Sequence, residues 1–232
     1  MSALVHMKTV HKPTSRKRAS AALRRAGGKR QENKERTKER ILAAALELFR
    51  EKGLEATTTK EVSKRAGIAE GTLFNYFKTK EDLALYFFQK ETENLISWFR
   101  GDPRLKRAPL PEKLFALIHR QLEYLEPYED FIGAVFCRAL QPSSSLSPLS
   151  FDSQEMRLKY LRFIREILAQ AEEKEEIPRV GDLGAYAVGL FYLGIVAHWL
   201  QDRSRGKQKT LALLDRGLNF GTQVLKKGAW EW

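Results

Sequence analysis

Residues 37–88 read TKERILAAALELFREKGLEATTTKEVSKRAGIAEGTLFNYFKTKEDLALYFF, and their periodic stretches and glycines predict helix, helix, glycine turn, helix, helix. Ile41, Ala45, Leu48 and Phe49 recur at the spacing of one helical face, and Gly53 supplies a stop. Thr58-Thr59-Lys60-Glu61 fits a capping box, in which the Thr58 hydroxyl accepts from the Glu61 amide and the Glu61 carboxylate answers at the cap. The helix that starts there turns Val62 and Ala66 inward and meets Gly67 after about two turns. A new helix is expected over residues 70–77. A short glycine turn between two short helices is the signature of the helix-turn-helix. In it, Leu73 and Phe77 anchor the second helix to the core, while Thr72, Asn75 and Tyr76 face out toward a DNA major groove.

The string EATTTKEVSKRAGIAEGTLFNYFKTKEDL, with Ala44-Ala45, Phe49 and Gly53 ahead of it, resembles the DNA-binding domain of the tetracycline-repressor (TetR) family. The anchors are the capping threonine, Ala66-Gly67, Gly71-Thr72-Leu73, Phe77, and Lys80 followed by an acid. Two positions depart from the family pattern: Ala69 stands where a capping serine is usual, and Phe74 where a tyrosine is usual. Losing the hydroxyl cap typically costs about 1 kcal/mol of helix stability. The resemblance implies phosphate contacts from Thr58, Tyr76 and Lys80. Thr59, Lys60 and Phe74 belong to the same expected interface, and Gly71 permits close approach of the backbone. Asn75 is the candidate for base readout, because a carboxamide pairs in bidentate fashion with adenine, and Thr72 is placed to touch a thymine methyl.

Charge follows the same division. Of 232 residues with net charge +12, residues 1–80 hold 20 basic and 8 acidic side chains, whereas residues 81–232 hold 21 of each. An excess confined to one end is the electrostatic footprint expected of a polyanion-binding domain. Residues 1–33 are rich in Lys, Arg, Ser, Gly and Ala without an apolar core; they read as a basic, disordered arm rather than a signal peptide. A single cysteine, Cys137, rules out an internal disulfide framework and suits a reducing cytoplasm.

The domain expected over residues 34–80 is followed by residues 81–232, where the periodicity is helical throughout and the fold class is therefore all-α. Helices are expected over residues 80–100, 111–126, 128–141 and 151–173, with a Pro/Ser loop at 142–150. Residues 183–200 contain no Lys, Arg, Asp or Glu and qualify by length as a membrane span. Three glycines and His198 weaken that reading, and a helix apolar all round is equally expected in the core of a soluble dimer. The last helix carries Leu211, Leu214, Leu218 and Leu225 on one edge, assigned to a dimer interface, and Leu213, Phe220 and Val224 on a second. The TetR resemblance implies that the last two helices pair across a two-fold axis. Two recognition helices about 34–36 Å apart would then match a pseudo-palindromic operator.

Polar and aromatic groups among these helices, namely Phe99, Tyr124, Phe131, Arg138, Phe163, Tyr192 and His198, are candidates to line a site for a hydrophobic small-molecule effector. The histidines and Cys137 lack metal-ligand spacing, so neither metal nor cofactor is expected. Nor does the chain contain a Gly-rich phosphate loop, GxSxG or HExxH, which argues against an enzyme. The expected function is a cytoplasmic, DNA-bound, homodimeric transcriptional repressor released by an effector, with no membrane partner. An architectural DNA binder of little sequence preference is the alternative, and strong salt dependence without operator discrimination would mark it.

Overall fold

A computed structural model describes the backbone of residues 15–148 and 150–226, and the side chains of residues 28–148 and 150–226. Ten α-helices follow one another among the described residues, without a strand. Helix α1 (Ser15–Ala56) precedes α2 (Thr59–Arg65), α3 (Glu70–Phe74) and α4 (Lys80–Gly101). Then come α5 (Pro103–Arg107), α6 (Leu110–Leu125), α7 (Glu129–Ala139), α8 (Gln154–Glu173), α9 (Gly181–Gln201) and α10 (Gln208–Lys226).

Helix α1 starts earlier than the sequence suggests. Residues 15–33, read above as a disordered arm, continue its backbone, and the first fourteen lie outside the described residues. At its other end Gly53 leaves helical geometry at φ 80°, ψ 169°, a conformation open to glycine because it has no Cβ. The buried Thr57 hydroxyl donates to the freed Gly53 carbonyl at 2.7 Å.

Helix α4 connects the two halves of the molecule. Its first turn adjoins the DNA-binding end, and its inward face, Leu83, Phe87, Leu95 and Phe99, packs on α1, α6 and α8. Helix α7 lies on α1, where the Phe131 ring stacks on Phe49 at 4.8 Å and meets Phe87 edge-on at 5.6 Å. Helix α8 packs along α9, and α10 lies on α6 and α9.

Two of the four leucines expected at a dimer edge are enclosed by the protomer itself. Leu214 and Leu218 are buried within the protomer, in the core where α10 lies on α6, and Leu211 and Leu225 are half-buried beside them. A side chain fully enclosed by its own chain has no surface to offer a second copy. The uncovered apolar face is instead Leu183, Tyr186 and Leu190 on α9 with Leu213 and Phe220 on α10. Helix α9 is the one described helix long and apolar enough to cross a membrane. One of its sides packs on α8 and α10, and the other forms this face.

Candidate nucleic-acid interface and effector core

The helix-turn-helix is held by local devices that the residues dictate. The Thr58 hydroxyl accepts from the Glu61 amide at 3.3 Å, and Glu61 accepts from the Thr58 amide at 3.0 Å. The same carboxylate takes the Thr58 hydroxyl proton at 2.8 Å, so that hydroxyl is already committed to the cap. Hydrogen bonds from Lys52 and Thr58 hold the Glu61 carboxyl well below the usual carboxylate range, which keeps the capping anion charged. Helix α2 ends in a full Schellman motif: Gly67 (φ 65°) donates to the Lys64 carbonyl at 3.2 Å and Ile68 to that of Ser63 at 3.0 Å. Arg65 reaches back to Glu47 at 3.1 Å and in bidentate fashion to Glu51 at 2.9 Å, holding α2 on α1.

Helix α3 is shorter than the expected recognition helix and ends at Phe74. Asn75 is its C-cap, and Tyr76 and Phe77 follow in a turn that donates back to Leu73 at 2.9 Å. Leu73 and Phe77 are buried as expected, and Ala69 caps α3 without a side-chain hydrogen bond. Gly71, Phe74 and Asn75 are exposed together, with Phe74 45% exposed. A Cβ built on Gly71 meets nothing within 4 Å, so any need for glycine there comes from outside the protomer.

Not all the expected contacts are free. Thr59 donates to Glu70 at 3.2 Å, tying the start of α2 to that of α3, whereas Lys60 is exposed. Thr72 is half-buried, and Tyr76 packs partly against the core. The Lys80 ammonium donates to the Leu54 and Glu55 carbonyls at 3.0 and 3.1 Å, neutralising the end of α1. It positions α4 on α1 rather than reaching outward. Substituting Asn75 with Ala is expected to remove about 1–3 kcal/mol of base discrimination at one operator position. Selection of bound duplexes checks this, and unchanged preference would rule out the assigned contact.

The residues expected around an effector separate into three groups. Tyr124 and Tyr192 lie in the interior between α4, α6, α8 and α9; Tyr124 stacks on Phe87 at 5.6 Å, and Tyr192 lies 5.9 Å from Tyr160. Phe99 and Phe163 meet edge to face at 5.3 Å farther along α4 and α8, while Phe131 belongs to the contact with α1. Arg138 and His198 point elsewhere. Arg138 forms a bidentate pair with Glu55 at 2.7 Å and also binds Glu81, so it bridges α7 to the ends of α1 and α4. His198 Nδ1 lies 2.9 Å from the Thr210 hydroxyl, whose proton goes to Asp202 at 2.7 Å; the ring is therefore the donor and locks α9 to α10. Three buried polar residues here, Glu91, Thr92 and Gln121, lie outside the expected set. Their signal was a polar residue at a core position of an apolar stripe.

The arrangement defines a helix-turn-helix DNA-binding protein with a separate helical core behind it. Residues 41–87 match the family described as bacterial regulatory proteins, tetR family, and residues 113–231 match the tetracyclin repressor-like C-terminal domain. The chain belongs to the TetR family of transcriptional regulators.

An uncharacterised regulator of Bacillus subtilis, YvkB, is 41% identical over 103 residues, 43% of this chain and 51% of that protein. The fatty acid metabolism regulator protein of the same organism is 32% identical over 85 residues, 37% of this chain and 43% of that one. The chain thus spans about half the length of these curated relatives. The TetR-family transcriptional repressor FadR of Thermus thermophilus, solved with lauroyl-CoA, is 26% identical at a TM-score of 0.63, covering 79% of this chain and 94% of that one.

Proposed function

We propose that this chain is a homodimeric transcriptional repressor that leaves a pseudo-palindromic operator when a hydrophobic small molecule enters between α4, α6, α8 and α9. The observation that carries the reading is α4. One end is pinned by Lys80 to the end of α1, on which α2 of the helix-turn-helix packs, and its inner face lines the interior core, so an effector with different affinity for two positions of α4 changes operator affinity by the same linkage. The similar repressor from Thermus thermophilus holds lauroyl-CoA, whose acyl chain supports a ligand with an apolar body here. Exposed Gly71, Phe74 and Asn75 supply the groove contact.

The second copy covers the face of Leu183, Tyr186, Leu190, Leu213 and Phe220. Apolar side chains of that size, exposed together on two adjacent helices, are the expected core of a subunit interface.

Selection of bound sequences from a random duplex pool, at about 150 mM salt, tests the whole reading. Enrichment of a two-fold symmetric site is the expected result; binding without enrichment would indicate an architectural binder. Leu190→Glu combined with Phe220→Glu is expected to give a monomer by sedimentation, and to weaken binding to the selected site by at least about tenfold, or about 1.4 kcal/mol. A persistent dimer would place the interface elsewhere.

A further inference from the structure

Four helices, α4, α6, α8 and α9, converge on one carboxyl group behind the helix-turn-helix. Glu91 interrupts the apolar stripe of α4 between Phe87 and Leu95 and is 5% exposed, and among the described residues no cation offsets its burial. Its partner is Gln121 of α6, itself 2% exposed. The Tyr160 hydroxyl of α8 donates to Gln121 Oε1 at 3.2 Å, so the amide end of Gln121 is the one that faces Glu91. That orientation presents a donor, which the carboxyl can accept in either protonation state and which lowers the cost of ionising it.

A carboxylate has about four lone-pair sites, and one donor leaves most of them open. An ionised group buried with so little compensation is costly, and its retention in a core is a reason to look for a ligand that completes it.

Aromatic rings stand near it. Tyr160 and Tyr192, both half-buried, lie 5.9 Å apart, and Tyr124 of α6, also half-buried, feels the Glu91 charge. Burial first, and then the Glu91 charge, raises the Tyr160 and Tyr192 phenols above their ordinary range; burial, Tyr128 and Glu91 do the same for Tyr124. All three stay neutral and offer electron-rich ring faces, which attract cations. The surroundings of the carboxyl thus include Gln121 and Tyr124 from α6, Tyr160 from α8 and Tyr192 from α9.

We infer that Glu91, with the rings of Tyr124, Tyr160 and Tyr192, binds the positive end of a lipophilic cation, and that the effector is a hydrophobic amine or quaternary ammonium. This rests on reading the interior as the effector site. The aliphatic and aromatic walls take the apolar body, and the carboxylate selects the charge. A neutral ligand leaves the carboxylate uncompensated, and an anionic one meets repulsion in a medium of low dielectric. Because Glu91 is on α4, a ligand that engages it acts directly on the helix bearing Lys80.

The test uses the full chain and three probes of equal alkyl length, decylamine, decanol and decanoate, below their aggregation thresholds, with lauroyl-CoA as a fourth. Each is titrated calorimetrically and then added to the complex with the selected operator. Decylammonium is expected to bind at least about tenfold more tightly than decanol or decanoate, within the range of a desolvated cation on an aromatic and anionic site. It is also expected to release the operator.

In Glu91→Gln the preference disappears. At about pH 6, cation binding to the unaltered chain is expected to release a proton as Glu91 ionises, seen by comparing buffers of different ionisation enthalpy. That release decides the question even if Glu91→Gln fails to fold.

Equal affinity for the three probes, no proton release, or a preference that survives in Glu91→Gln would overturn the inference. Release of the operator by lauroyl-CoA alone would also overturn it while leaving an effector-responsive repressor in place. Failure to enrich any operator would instead remove the underlying reading, and this one with it.

Discussion

Truncating Phe131 to Ala is expected to lower the stability of the folded chain by about 3–5 kcal/mol, the upper range for removing a buried aromatic side chain. The ring is 1% exposed and has no route to solvent into which neighbours could relax. On one side it stacks on Phe49 of α1 at an interplanar angle of 7°, and on the other it meets Phe87 and Phe88 of α4 at 5.6 and 6.4 Å. Aromatic pairs contribute about 0.5–1.5 kcal/mol each beyond their area burial, so the cavity left here forfeits several of them. Phe131 is also where α7 touches both helices that carry the helix-turn-helix. Its loss is expected to separate unfolding of the N-terminal helices from that of the rest. Urea unfolding followed at two signals checks this: a lower midpoint with transitions that no longer coincide is the expected outcome. A loss under about 1 kcal/mol would show that the stack is not the main joint between the halves.

What the sequence disclosed and what it concealed divide along the range of the interactions. The Thr58 box and the Gly67 turn close within six residues, so their chemistry is visible in one short string. Both apolar edges of α10 were visible too, because they are a matter of helical period. Which edge is enclosed is decided by α6, about a hundred residues earlier, and nothing in the α10 sequence encodes that choice. Arg138 was assigned to an effector site for the same reason. Its partners Glu55 and Glu81 are 83 and 57 positions away, and from the string alone it is a lone charge on an apolar helix. Glu91 and Gln121 carry their signal in the apolar stripes they interrupt, on α4 and α6. A polar residue in such a stripe is the more informative one, since its burial must be compensated by something.

Replacing Glu91 by Gln is expected to stabilise the ligand-free protein at about pH 8 by about 3 kcal/mol and to leave it little changed near pH 4. Burial pushes the Glu91 carboxyl up from 4.5 to about 7 in the folded chain, against a smaller lowering by its hydrogen bond from Gln121. A folded-state pKa raised above the unfolded value means that the native protein binds the extra proton. Stability from this group is therefore fully present below about pH 4.5, is lost as pH rises, and is gone above about pH 7. The amide keeps the shape of the neutral acid without an ionisable proton, so the variant should not show that loss. Thermal or urea unfolding of both proteins between about pH 4 and pH 8 measures the difference directly. Curves that stay parallel across the window would mean that the Glu91 carboxyl titrates alike in the folded and the unfolded chain, and that its burial costs the fold nothing at neutral pH. A difference that opens toward pH 8 would show a folded state weakened by its own carboxylate in the absence of ligand. Any cation that pairs with it would then restore part of that stability on binding.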